Sequence, residues 1–289
     1  MINNEQKRSI GFDFIMENLY CNTPYGSEKK KNLMPYKLAE KSFLINELEN
    51  VKKVVENIDQ LKDEFDLLEH TFMQFKEIRT SIKKMNGSVL DEIELFEVKN
   101  FLLLLQKVII SYIEINKHAN FIDIEFLEME EVLNLLDPEK KRISSFYISD
   151  MYSEELKEIR IERKEIESKI LNKRVLEDSA ELKKRRLEIV CKEEEIELEI
   201  KTMLTKKMQP FMDIFYKNIE NIGKLDLTIQ KGKLAINLGA IYPKISETEV
   251  KFKNVFNPYM QELLKKRKKQ FKKVNINLQK QTTFLTGYG

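Results

Sequence analysis

The chain has little of what builds loops and sheets. Glycine occurs 8 times and proline 6 times in 289 residues, few for a β-rich or loop-rich protein of this size. Histidine is scarcer still, with His70 and His118 the only two. Neither has a carboxylate or cysteine at metal-ligand spacing, so no metal site is expected. Two isolated imidazoles also leave no positioned base for a serine or cysteine nucleophile, and no catalytic residue is assigned. The two cysteines, Cys21 and Cys191, stand far apart and read as reduced thiols of a cytoplasmic protein. The opening MINNEQKRSIGFDF lacks the apolar segment of an export signal. The longest apolar run, FLLLLQKVIISYI at 101–113, carries Gln106 and Lys107 and is too short to span a bilayer, so it reads as a buried helix. No excess of one charge is present either: the net charge is +2, and any case for a nucleic-acid or membrane partner has to be local.

What is there in quantity is apolar and charged residues, 42% and 34% of the chain, the mixture of long solvated helices. Phe12, Ile15, Met16 and Leu19 recur at helical spacing. Asn22-Thr23-Pro24 then breaks the pattern, with Thr23 placed to cap a new helix that starts on Pro24, carries Leu33 and stops before Pro35. Residues 38–85 suggest two more helices, with Leu44, Leu48, Val51, Val55 and Ile58 as one apolar stripe. After the turn at 84–88, Ser88 is placed to cap a helix through Leu95, Val98, Leu102 and Leu105 to about residue 118, with Asp91 completing a capping box. A further apolar segment, 120–136, ends at Asp137-Pro138, and 146–151 is irregular.

From 153 to about 207 the texture changes to charged and aliphatic residues without Gly or Pro. Leu156, Ile159, Ile166 and Ile170 step by three, seven and four, and Leu182, Ile189, Ile196 and Met203 step by sevens. This predicts a coiled coil in two runs, interrupted at NKRVLEDSA, the tip (172–180) of an antiparallel hairpin. Each run of about 20–25 residues would extend roughly 30–38 Å. Helices resume after Pro210 and end at Pro243. A third texture follows: a strand and turn in VKFKNVFNPYM, the basic LLKKRKKQFKK, and two strands in VNINLQKQTTFLTGYG. Lys265, Lys266, Arg267, Lys268 and Lys269 form the most concentrated positive strip, suited to gripping phosphate without reading sequence. Lys183, Lys184, Arg185 and Arg186 form a second cluster near the hairpin tip, followed by Glu193, Glu194 and Glu195.

The order of these pieces resembles the MutS family of mismatch-repair and related ATPases over nearly the whole chain, in the branch lacking the N-terminal mismatch-reading domain. GFDFIMENLYCNTPYGSEKKKNLMPY is similar to the family's core segment with its T-P-x-G. Lys224-Leu225-Asp226-Leu227 with KGKLAINLGAIYPKI is similar to the segment where the core ends. VKFKNVFNPYM is similar to the family's His-Pro strand, with Asn257 in place of the His. VNINLQKQTTFLTGYG is similar to the strand pair that leads into the Walker A loop. There Thr286 and Gly287 match, and Tyr288 and Gly289 occupy the Pro and Asn positions. Phe126-Leu127-Glu128 matches the mismatch-wedging Phe-x-Glu by letters alone, inside a helical segment, and is set aside.

The resemblance implies a mainly α chain: helical core (1–152), coiled-coil lever or clamp arm (153–207), core return (208–248), and an incomplete P-loop ATPase domain (249–289) truncated at the start of its Walker A loop. It implies ATP and Mg²⁺ in a full-length protein and neither for this chain alone. Phe271 would face adenine, and Thr286, Gly287 and Gly289 would form part of the nucleotide site. DNA is the implied partner, recognised by structure rather than sequence, with a homodimer in the full-length form and no membrane. An alternative within the resemblance is a chaperone-type reactivase for a cobalamin-dependent lysine or ornithine aminomutase. A helical scaffold without nucleotide chemistry is a third reading.

Overall fold

Local signals decide most of the helix starts. The computed structural model describes residues 4–172, 179–246 and 249–278. Two short helices, α1 (Asn4–Ser9) and α2 (Phe12–Glu17), meet at Gly11, whose φ of 76° needs a residue without a β-carbon. Helix α3 (Pro24–Lys31) begins as expected: Thr23 Oγ1 accepts from the Gly26 amide, and Pro24 occupies the first turn. It ends one residue before Leu33 is reached, at Asn32. Residues 38–85 hold three α-helices rather than two: α4 (Lys41–Asn57), α5 (Lys62–Phe72) and α6 (Arg79–Lys84). The expected stripe is rotated by one position, because Val54 is fully buried and Val55 is 38% exposed.

Helix α7 (Glu92–Ala119) is capped by Asp91 and not by Ser88. Asp91 accepts from the Glu94 amide, and the Glu94 side chain accepts in return from the Asp91 amide. The capping box therefore sits three residues later than expected. Asn120 closes the helix at φ 50°, a conformation asparagine tolerates. Along α7, Leu95, Val98, Leu102, Leu105 and Val108 are buried, together with Phe65, Leu68 and Phe72 of α5. Helix α8 (Glu130–Leu136) packs on α7. Asp137, just beyond it, buries its carboxylate 3.0 Å from Lys99 Nζ of α7.

Helices α9 (Glu154–Asn172) and α10 (Ser179–Met208) lie alongside one another in antiparallel order. Arg160 reaches Glu193 and Glu197 at 2.9 and 2.7 Å, and Arg186 reaches Glu167 at 2.9 Å. Leu156, Ile159 and Ile166 are buried with Ile189 and Ile196, as the heptad steps select, while Ile170, Leu182 and Met203 of the same series are half-buried and Ile200, outside it, is buried. Most of the expected tip lies outside the described residues.

Pro210 does not break the chain's helical course. It falls in a 3₁₀ turn, Gln209–Phe211, where α10 tightens and continues as α11 (Met212–Leu238). Proline is tolerated there because its missing N–H and fixed φ suit a first turn. The run 179–238 spans roughly 90 Å at 1.5 Å per residue. It ends at Gly239, left-handed at φ 59°, ahead of the expected stop at Pro243. Helix α11 packs on both α3 and α4.

Strands β1 (Val250–Val255) and β2 (Val274–Leu278) pair antiparallel, with Val250 opposite Leu278 and Phe252 opposite Ile276. Where a turn and loop were expected between them stands helix α12 (Pro258–Lys266), capped by Asn257, which accepts from the Met260 amide. Asn257 Nδ2 also donates to the Ile10 carbonyl at 3.1 Å, and the Phe14 and Tyr259 rings lie 5.7 Å apart. These contacts tie the β-segment to α2. Among the described residues, no helix is long and apolar enough to cross a membrane.

Candidate functional site

The two internal segments that carry the resemblance meet in space. Asp226 of α11 is fully buried. Its Oδ1 accepts from the Asn22 amide at 3.1 Å, and its Oδ2 accepts from the Thr23 amide and the Thr23 hydroxyl, both at 2.7 Å. Thr23 Oγ1 in turn accepts from the Gly26 amide at 2.8 Å. One carboxylate thus holds the N-terminal cap of α3 against α11, across some two hundred residues of sequence. The approach demands small residues. A β-carbon on Gly26 would lie 2.9 Å from Asp226 Cγ, and one on Gly223 would lie 2.9 Å from the Tyr25 carbonyl carbon. Burial pushes the Asp226 carboxyl upward against the donors that favour its charged form. Burial, with Asp226 nearby, also pushes the Cys21 thiol up to about 12, which leaves it unreactive. The T-P-x-G of the sequence is therefore a docking device in this fold.

The basic strip lies at the far end of the β-segment. Lys265 and Lys266 occupy the last turn of α12, and Arg267 is its C-cap. Lys268 takes the left-handed conformation at φ 57°, and the Lys269 amide donates back to the Leu264 carbonyl at 2.8 Å. All five side chains are exposed. Lys266 Nζ meets Glu262 at 3.0 Å. Cations at a helix C-terminus complement the dipole, which supplies a purely local reason for part of the strip. Phe271 is half-buried in the segment that enters β2.

The second cluster is divided by its partners. Arg185 pairs with Glu162 at 2.8 Å and Glu188 at 3.3 Å, and Arg186 pairs with Glu167. Both arginines are therefore engaged in stapling α10 to α9 or in bonds along it. Lys183 and Lys184 remain exposed. The structure places the two basic groups on different elements, α12 and α10. Thr286, Gly287 and Gly289, and the strand expected before them, lie outside the described residues.

Phe126-Leu127-Glu128 lies in extended chain, not in the expected helix. The Leu127 backbone exchanges two hydrogen bonds with the Asn218 side chain, both at 2.9 Å. The Phe126 ring stands edge-on to Tyr112 at 4.9 Å. These contacts pin the segment to α7 and α11. His70 and His118 are both exposed, and among the described residues no group of His, Cys, Asp and Glu is arranged to hold a metal.

A cleft of about 530 Å³ opens between α3, α4 and α11, lined in part by Lys29, Glu47, Arg79, Asp123 and Lys224. Its charges answer one another. Lys29 pairs with Glu220, Arg79 with Glu28, and Glu47 with Tyr36 and Lys231. Lys224 donates to the Asp123 carbonyl at 2.7 Å, and desolvation lowers its affinity for a proton. Among the described residues these charged groups all have partners, so the cleft presents no set of unpaired charges to a ligand.

Three structural hubs escaped the sequence reading: Asp226, Arg160 and the Lys99–Asp137 pair. Asp226 did leave a signal, a carboxylate flanked by Leu225 and Leu227. Arg160 links the Ile148 carbonyl (2.7 Å) and Asp150 (2.5 Å) to Glu193 and Glu197 of α10, and nothing in its own neighbourhood announces that role. No family model matches the sequence, and no curated protein matches it.

Proposed function

We propose that the chain is the helical core and lever arm of a MutS-like ATPase that holds DNA by its backbone, with ATP and Mg²⁺ acting in a longer form of the protein. The observation that carries the reading is continuity. The α9–α10 pair runs through a single 3₁₀ turn into α11. Helix α11 then anchors the cap of α3 through Asp226. A displacement of the arm is therefore delivered to the core through one helical rod, which is what a lever must do. The same carboxylate joins the two internal segments on which the resemblance rests. Of the residues the resemblance gives to nucleotide, Phe271 is the one among the described residues, and its half-buried ring offers a face for adenine. The strip at 265–269 is the phosphate-gripping element of this reading, since its five cations are exposed and close together.

Binding of duplex and branched DNA, measured between 50 and 300 mM salt, tests the proposal. Each phosphate neutralised contributes roughly 0.9 to the log–log salt slope. Replacing Lys265, Lys266, Arg267, Lys268 and Lys269 with Gln should flatten that slope by several units and weaken binding throughout. An unchanged slope would remove the strip from the account. A second reading, a chaperone-type ATPase acting on a cobalamin-dependent aminomutase, is favoured by one observation: two of the four arm-tip cations, Arg185 and Arg186, are already held by glutamates. Absence of salt-sensitive DNA binding, with retention of an aminomutase on the immobilised chain, would decide for that reading.

A further inference from the structure

Helix α10 carries two seams. One, through Ile189, Ile196 and Ile200, is buried against α9 and the core. The other runs along the opposite face at positions 184, 187, 191, 194 and 198, in steps of three and four. Leu187 and Leu198 on this outer seam are 64% and 54% exposed, and Cys191 between them is exposed too. A repeat of this kind on a helix already packed on its inner side is suited to a further helix. The charges along the seam are segregated: Lys183 and Lys184 lie toward the tip, and Glu194 and Glu195 lie about three turns toward the base. None of these four side chains makes an ion pair among the described residues, whereas their neighbours Arg185, Arg186 and Glu193 all do.

We infer that the outer face of α10 docks against the same face of a second copy of this chain, antiparallel, with the basic tip of each copy on the acidic stretch of the other. An antiparallel match that sets Lys184 opposite Glu194 also sets Lys183 opposite Glu195, Leu187 opposite Cys191 and Ala180 opposite Leu198. One register therefore satisfies the charges and closes the apolar positions together. A two-fold axis passes near residue 189, so the contact is self-complementary and closes as a dimer. The two Cys191 residues then lie about 6 Å apart along the axis, four residues at 1.5 Å each. A parallel arrangement would set lysine against lysine and glutamate against glutamate. Nucleic acid is a poorer complement for this face, because a phosphate chain leaving Lys183 and Lys184 along α10 meets Glu188, Glu194 and Glu195. The inference stands on the arm alone, and it holds or fails independently of the ATPase reading.

The test uses the full 289-residue chain at tens of micromolar and 50 mM salt, with a short bis-maleimide that bridges two thiols. The wild-type chain should give a cross-linked dimer that Cys191→Ser abolishes and that fades above about 300 mM salt, as screening of exposed charges requires. Lys183→Glu with Lys184→Glu should abolish the dimer, as should Glu194→Lys with Glu195→Lys. An equimolar mixture of the two double variants should restore it, with far-UV circular dichroism confirming unchanged helix content in each. Sedimentation should report the same gain and loss of mass without the cross-linker. Absence of dimer in the wild type, or failure of the mixture to restore it, would overturn the inference. So would variants at 183 and 184 that lose DNA binding while still dimerising.

Discussion

Replacing Asp226 with Ala should cost this fold more than any single surface change. Three donors converge on its carboxylate: the amides of Asn22 and Thr23 and the hydroxyl of Thr23. Thr23 and Asp226 are both within 1% of full burial, so water cannot take over cheaply. A hydrogen bond to a charged group is worth about 1.5–3 kcal/mol net, and a buried donor left without a partner costs about 1–3 kcal/mol. The donors are neighbours, so the values do not add, and removing the carboxylate also relieves its own desolvation. A net loss of about 3 kcal/mol follows. That is a large part of the roughly 5–15 kcal/mol that holds a domain folded, and it corresponds to a fall in Tm of roughly 6–12 °C. Urea unfolding followed at 222 nm measures it. Gly26→Ala attacks the same junction from the other side, because its methyl group would press on the carboxylate. In a double-mutant cycle, Gly26→Ala should cost less in the Asp226→Ala background than alone, since the obstructing group is gone. A loss below about 1 kcal/mol for Asp226→Ala, or strict additivity with Gly26→Ala, would refute the reasoning.

A β-carbon at Gly232 would lie 2.8 Å from Val54 Cβ, so Gly232→Ala should cost about 1–3 kcal/mol by overpacking, and Val54→Ala in the same chain should recover part of it in the same denaturation assay. Asn257→Ala removes both the α12 cap and the bond to the Ile10 carbonyl; the expected loss is about 1 kcal/mol, with faster amide exchange at Met260 and Gln261. Glu139 is held down to about 2 by hydrogen bonds from Lys141, Tyr147 and Ser149. Its folded value is depressed, so its contribution is complete above the ordinary glutamate range and is lost as pH falls toward 2. Amide protection factors across 137–149 should fall over that window, and Glu139→Gln should reduce the pH dependence to the part that Asp137, also held below the usual carboxylate range, supplies.

Where a helix begins on an explicit cap, the sequence could be read directly. Thr23-Pro24 is such a case, because hydroxyl, proline and glycine each have one geometric use there. The heptads of 153–207 were equally legible, since the repeat over several turns picks out the face that α9 and α10 bury against each other. The misreadings share a cause: two signals of equal local strength, decided by distant partners. Ser88 and Asp91 can both cap a helix, but only Asp91 has Glu94 in position to reciprocate. Asn257-Pro258 repeats the Thr23-Pro24 signal, and α12 was missed because the basic run behind it read as loop. Val54 displaced Val55 because Gly232, from α11, leaves room at that one position. Pro210 read as a break, yet one tightened turn absorbs it. Of the candidate site, the cations were visible in composition. Their division into paired arginines and free lysines was not, because the glutamates that decide it lie on another helix or a turn away.

That division bears on the proposed lever. A lever transmits only what its rod and its anchor can bear. From Ser179 to Asp226 the helical path covers roughly 70 Å at 1.5 Å per residue. The 3₁₀ turn at Gln209–Phe211 interrupts its regular bonding, and the rod is most easily bent there. On the arm side of that turn, Arg160 fastens α10 to the Ile148 carbonyl and Asp150 in the strap leading from α8. On the core side, Asp226 fastens α11 to α3. The last turns of α10 are fastened to the core as well: Leu204 and Met208 are fully buried, Thr205 Oγ1 accepts from the Leu90 amide at 3.1 Å, and Gln209 donates to Asn86 at 3.1 Å, so a change of angle at Pro210 has to disturb these contacts. Ion pairs brace α9 against α10 along the arm, so in the proposed lever a change of angle would appear as a displacement at the tip. In the proposed lever, the glutamates that neutralise Arg185 and Arg186 contribute to rigidity, and Lys183 and Lys184 are exposed cations without an ion pair among the described residues.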